Sequence, residues 1–203
     1  AGMNPRQQES FDSAMLLAAR NESLPNYNLM QMTRLNRPLH QIEAYNLPRS
    51  ATQLSADQAR GLPNTLTLAV GGRVMLTRNL NTSLSLVNGS LGTIRHIVYR
   101  QSNLSRQLPD LILVRFDNFT GQSCVAFEDK IVPLTPVTAS WTAAHGRVNL
   151  RTMFPLTAAY ATTIHKAQVG YHCYYMVKKL YYSLQGMNLD KVKIDLGKYY
   201  IVH

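Results

Sequence analysis

The stretch from Asn88 to about Leu150 most constrains what this chain can fold into. It reads LGTIRHIVY, a polar loop, DLILVRF, a turn from Asn118 to Gly121, SCVAF and then IVPL, so short β-rich runs alternate with turn signals. Segments this short, separated this regularly, carry no sustained helical stripe, and they predict a small barrel or curled sheet. Trp141 closes the region.

The flanks have a different texture. Residues 10–20 (SFDSAMLLAAR) set Phe11, Ala14, Met15 and Ala18 at helical spacing, and a second helix is expected from Asn28 to Leu35, ended by Pro38. Residues 64–77 (NTLTLAVGGRVMLT) predict a buried β-turn-β element broken at Gly71-Gly72. Leu66, Leu68 and Val70 fall on one of its faces, Val74 and Leu76 on another. By period, residues 154–168 (FPLTAAYATTIHKAQ) read equally as strand or helix, and KVKIDL at 191–196 predicts one more strand. There is no internal repeat or low-complexity tract. With 203 residues, 45% hydrophobic and 16% charged, the chain can bury a real core and is not of disordered composition.

Charge narrows the partners. Lys and Arg total 21 against 11 Asp and Glu, a formal charge of +10. Such an excess suits a polyanion, because each cation set on a phosphate releases a condensed counterion; a basic surface that keeps a protein soluble fits composition equally well. The charge is scattered rather than gathered in a run, which favours a folded binding face over a disordered arm. Cys124 and Cys173 lie far apart without metal-ligand spacing, so neither a disulfide framework nor a metal site is expected. No apolar run approaches the ~20 residues of a membrane span. A soluble, reducing compartment and no membrane partner are therefore expected, and the Asn-x-Ser/Thr triplets at Asn21, Asn81, Asn88, Asn103 and Asn118 read as chance.

The chemistry concentrates between Arg151 and Gln168 (RTMFPLTAAYATTIHKAQ). Small residues there let a backbone approach a ligand closely, and Thr163, His165 and Lys166 offer hydroxyl, imidazole and ammonium donors within four positions, an assortment suited to phosphate contact. On chemistry alone a capped, solvated turn fits the same residues. The stretch resembles the fifth conserved motif of PIF-type (petite integration frequency) DNA helicases, Arg-x-Gln-Phe-Pro-Leu followed by Ala-Tyr-Ala-x-Thr-Ile-His-Lys-x-Gln-Gly. Met153 replaces the pattern's Gln, and Gly does not follow Gln168. LAVGGRVMLTRN at 68–79 and LVNGSLGT at 86–93 are similar to the family's Val-Gly-Ala-x-Val-Met-Leu-x-x-Asn and Gly-Leu-x-Asn-Gly-x-x-Gly, with Gly72 and Ser85 departing. PLHQIEAYN at 38–46, leading into Ala56-Asp-Gln-Ala59, is a third and weaker match. The matches follow the family's order over most of residues 26–203, with most likeness to Helitron-like and fungal members.

The resemblance implies an α/β fold: the second RecA-like motor domain of a superfamily-one helicase, discontinuous over 1–80 and 150–203, with a small β-barrel similar to a Src-homology-three fold inserted at 81–149. It implies that Thr163, His165 and Lys166 meet the phosphates of single-stranded DNA, and that Gln168 and Gly186 couple that contact to a nucleotide site. Asn88-Gly89 is expected to form the tight turn entering the barrel. ATP and Mg2+ serve the intact family enzyme, which moves 5′ to 3′ in DNA repair, recombination or telomere maintenance, in the nucleus or mitochondrion. These 203 residues contain no Gly-x-x-x-x-Gly-Lys-Ser/Thr phosphate loop. No catalytic residue is therefore assigned. The expectation is a fragment that binds no nucleotide alone and needs a missing N-terminal motor domain; a non-catalytic nucleic-acid-binding module and a decayed transposon-derived product are the alternatives. The pattern is also longer than this chain between Asn21 and Asn28.

Val169–Gln185 (VGYHCYYMVKKLYYSLQ) interrupts the motif. Removing it joins Gln168 to Gly186 and restores the family's Gln-Gly and the strand that follows. Val codons begin with GT, a Gln codon can end in AG, and the segment keeps the reading frame, so it reads as a retained intron, with a lineage-specific loop as the alternative.

Overall fold

Met15–Ala18, in the middle of the first expected helix, is a strand, β1. A run as short as MLLA fits either period, and it is pairing that decides: β1 lies between two parallel neighbours, β12 (Ala161–Thr163) and β14 (Tyr199–Val202). A short unbroken apolar run carries neither the helical nor the strand period, which is what misleads a helical reading. The structure, a computed structural model, describes residues 15–18, 24–99, 108–126, 128–142, 146–163, 194–195 and 199–202. Among them are one α-helix, two short 3-10 turns and otherwise strands.

The chain divides into two compact units, residues 1–31 with 159–203, and residues 32–158. The first unit holds a sheet in the order β12-β1-β14-β13, with β13 (Ile194–Asp195) antiparallel to β14. Residues 194–195 are the described part of the strand expected at 191–196. The ambiguous 154–168 segment resolves into strands, β11 (Leu156–Ala158) and β12, as far as it is described.

The helix α1 spans Leu24–Arg34, four residues earlier than expected at its start. Leu24, Asn28 and Met32 recur at every fourth position on its inner face, and Leu24 and Met32 are buried. It ends where Asn36 turns left-handed (φ 51°), two residues before Pro38.

In the larger unit, β2 (His40–Glu43) pairs antiparallel with β4 (Thr65–Leu68). β5 (Arg73–Leu76) instead joins a five-stranded sheet in the order β11-β5-β6-β7-β8, with β6 Leu91–Val98, β7 Leu111–Phe116 and β8 Ile131–Leu134. The two strands flanking the glycine pair therefore belong to different sheets. Between them Gly72 N–H donates to Ala69 O across a tight turn, with Gly71 at φ 88°. Val70 sits on that turn and is exposed, so it leaves the apolar face expected for it, whereas Leu66, Leu68, Val74 and Leu76 are buried.

Strand β7 alternates cleanly, with Ile112, Val114 and Phe116 inward against Ile94 of β6. Each such side chain contributes about 1.5–3 kcal/mol when fully buried. The third sheet is β3-β10-β9, from Tyr45–Leu47, Val148–Met153 and Val137–Thr142. Of SCVAF, expected as a strand, residues 124–126 form bends and a turn. The Ser123 hydroxyl donates to Glu128 O and accepts from Val125 and Ile131 N–H, so a side chain takes bonds that a strand ladder would use.

Two turns enter β6. Gly89 stands at φ 92°, and Ser90 N–H donates to Val87 O, so Asn88-Gly89 is a tight turn that needs glycine at its second corner. Ser85 also lies in the left-handed region, at φ 61°, where a Cβ is unfavourable. Ser85→Gly should therefore stabilise the chain by about 1 kcal/mol in urea unfolding.

Candidate nucleic-acid interface

Thr163 ends β12, opposite Ala18 in the parallel register. His165, Lys166, Gln168 and Gly186 lie outside the described residues, as does the 169–185 segment. The structure does show how the chain is held as it enters β12. The Asn28 side chain accepts from Tyr160 N–H at 2.9 Å and Ala161 N–H at 2.8 Å, and donates to Ala161 O at 2.9 Å. One amide thus fixes two consecutive peptides just upstream of Thr163, using its full set of donor and acceptor types. Sequence reading passed over Asn28, and an asparagine at helical spacing gives no local sign of this partnership.

Arg151, which opens the same motif, is no phosphate ligand. It is fully buried, and its guanidinium donates to Asn46 Oδ1 (2.8 Å), Leu62 O (2.9 Å), Ala51 O (2.6 Å) and Leu54 O (2.9 Å). Burial lowers its pKa from the ordinary arginine value, yet arginine starts so high that the group stays charged. Its work is to tie the 3-10 turn Arg49–Gln53 and the chain at Leu62 to β10 and β3.

The remaining described cations fall into two classes. Arg73 makes a forked pair with Asp117, at 3.0 and 2.6 Å, and also reaches Thr93. Arg95 and Arg115 share Glu128, the first from Nε at 2.6 Å and the second at 3.7 Å, while Lys130 donates to Asp117 O. All of these are committed to the protein, and a phosphate would have to displace a carboxylate or carbonyl to use them. By contrast Arg34, Arg37, Arg49, Arg60, Arg78 and Arg147 have no ion-pair or side-chain hydrogen-bond partner among the described residues, and all but half-buried Arg78 are exposed. Among the described residues, these six are the charges available to an external anion.

A family model described as "DNA helicase Pif1, 2B domain" matches residues 54–97. The ATP-dependent DNA helicase PIF7 of Trypanosoma brucei brucei is 30% identical over 214 residues, covering 97% of this chain and 19% of that protein. The chain belongs to the PIF-type DNA helicase family. It spans about a fifth of the length of that relative. Among solved structures, Pif1 helicase from Candida albicans superposes with a TM-score of 0.56 at 21% identity, covering 77% of this chain and 36% of that one. Bacteroides Pif1 bound to ssDNA gives 0.51 at 21% identity, covering 76% and 32%. These likenesses show a helicase-domain fold.

Three of the departures from the PIF-type pattern have a physical setting among the described residues. Ser85 occupies a left-handed position where the pattern has Gly. Gly72 stands where the pattern has Ala, and the place its Cβ would take lies 2.5 Å from the Met32 sulfur. Met153, in place of Gln, is fully buried in β10 and offers no amide to bond.

Proposed function

We propose that this chain is part of an ATP-dependent DNA helicase and contributes the second RecA-like motor domain, residues 1–80 and 150–203, with a small barrel at 81–149. The observation that carries the reading is the 30% identity to a trypanosome DNA helicase across 97% of the chain. The parallel pairing of β1 with β12 and β14 supports a RecA-like core. In this reading Thr163, His165 and Lys166 grip the phosphates of single-stranded DNA, and Gln168 and Gly186 transmit that grip to the nucleotide site. Motion is 5′ to 3′, and the cellular setting is DNA repair, recombination or telomere maintenance in the nucleus or mitochondrion.

The described residues do not fit the ATP and Mg2+ that such an enzyme uses. A phosphate cradle needs a glycine-rich turn and a lysine at a helix N-terminus. The α-helix seen here opens on Leu24-Pro25, preceded in sequence by Asn21-Glu22-Ser23. In this reading the nucleotide cradle is supplied by polypeptide outside these residues.

The test uses one preparation for two measurements. The purified chain should bind a single-stranded oligonucleotide with affinity that falls linearly as salt rises on logarithmic axes. It should release no phosphate from ATP above background, with or without DNA. Turnover near the ~10 per second typical of enzymes would overturn the partial-motor reading, and binding indifferent to salt would overturn the phosphate-grip reading. Salt-dependent binding without turnover supports the assignment.

A further inference from the structure

Among the unpaired arginines, Arg78 is brought against Gly61, the residue that follows Arg60. Arg60 and Gly61 both turn left-handed, at φ 53° and 86°, and so fold the chain beneath the segment that leaves β5. The contact is close: a Cβ at Gly61 would lie 2.7 Å from Thr77 O and 3.4 Å from Arg78 Cγ. Arg78's aliphatic stem therefore lies against the residue next to Arg60. Gly61 N–H donates to Ala56 O at 2.7 Å, which pins the turn.

Two guanidiniums in neighbouring positions repel one another, and natural surfaces usually relieve this with a carboxylate. In this unit Arg73, Arg95 and Arg115 are relieved in that way. Among the described residues, Arg60 and Arg78 have no such carboxylate. The other four unpaired arginines have simpler settings, Arg37 following the left-handed Asn36 at the end of α1. Arg34 lies in the last turn of α1, where the helix dipole favours a cation. Arg49 follows the cis peptide bond Leu47-Pro48, and Arg147 lies in the connection from β9 to β10. Nothing in the structure joins either to a second free cation.

We propose that Arg60 and Arg78 form a phosphate-binding pair for the backbone of a single-stranded nucleic acid, on the unit 32–158 and additional to the contacts assigned to Thr163, His165 and Lys166. The inference rests on the DNA-binding reading above. Two forks carried on adjoining segments suit successive phosphates of one strand, and because they meet only charge they carry no base preference. The family's shared sequence around β5 then has a use beyond the sheet, since the strand leads directly into Arg78, which packs on the residue after Arg60.

The experiment is a salt titration of the full chain binding an oligothymidylate. Each phosphate contact on a single strand contributes about 0.7 to the slope of log affinity against log salt. Arg60→Gln with Arg78→Gln should flatten the slope by about 1.4. Arg60→Lys with Arg78→Lys, which keeps both charges, should retain the wild-type slope and guards against loss of fold as the cause. Arg147→Gln removes an equally exposed free cation and should leave the slope unchanged. Lys166→Ala should flatten it separately by about 0.7. A double glutamine variant with the wild-type slope overturns the pair while the DNA-binding reading stands. An Arg147→Gln variant that loses as much slope as one glutamine of the pair also overturns it, since any surface cation would then serve. Wild-type protein without salt-dependent binding overturns the underlying reading first.

Discussion

Replacing Arg151 by Met lowers the stability of the chain by about 3–5 kcal/mol in urea unfolding, the range found when one partner of a buried charged network is removed. The loss comes from what is left behind rather than from the charge itself. Asn46 Oδ1 and the carbonyls of Leu54 and Leu62 lose the guanidinium donor, while Ala51 O keeps the N–H of Leu54. Each stranded acceptor costs about 1–3 kcal/mol before relaxation. Arg151→Lys should recover little, because a single ammonium cannot reproduce a planar fork that bonds from Nε and both terminal nitrogens. A lysine variant as stable as wild type would show that charge, not geometry, holds the turn. The effect should not vary between pH 5 and 8, since burial lowers the guanidinium pKa from a value far above that window.

Gly92→Ala should cost about 3 kcal/mol, at the upper end of the penalty for overpacking a dense interior. Gly92 pairs with Phe116 across the sheet, and its Cβ would fall 2.6 Å from Val114 Cγ1, 2.8 Å from Arg115 O and 3.1 Å from the Phe116 ring. A backbone oxygen held in a β-ladder cannot move aside without breaking pairing. Gly72→Ala gives the contrast. Its nearest obstacle is the end of the Met32 side chain, at 2.5 and 2.8 Å, although Ala69 O at 2.9 Å also crowds it. A thioether chain can change rotamer more cheaply than a strand can shift, so this substitution should cost about 1 kcal/mol. Parallel urea titrations decide the order, and equal losses would show that the Met32 pocket is as rigid as the sheet.

Much of the fold was legible. β6 and β7 announced themselves through β-branched and aliphatic runs bounded by turn signals, and Asn88-Gly89 proclaimed its turn, because these are properties of neighbouring residues. The glycine break at 71–72 was likewise visible. What it joined was not: β4 and β5 pair with different sheets, a matter of which distant strands arrive beside them. β1 failed for the same reason, since MLLA acquires its identity from β12 and β14, more than a hundred residues away. SCVAF failed because one serine hydroxyl displaced the ladder, a competition that β-propensity does not register.

The candidate site divides in the same way. The sequence by itself determined the family pattern, the phosphate-suited Thr163-x-His165-Lys166 and the absence of a phosphate loop from these residues, because each is an ordering of residue types along the chain. Only the tertiary structure decided that Arg151 is a buried tie rather than a ligand, that Asn28 clamps the entry to β12, and which arginines are already neutralised. Charge is counted in sequence, but its availability depends on the carboxylates and carbonyls that folding brings within hydrogen-bonding distance.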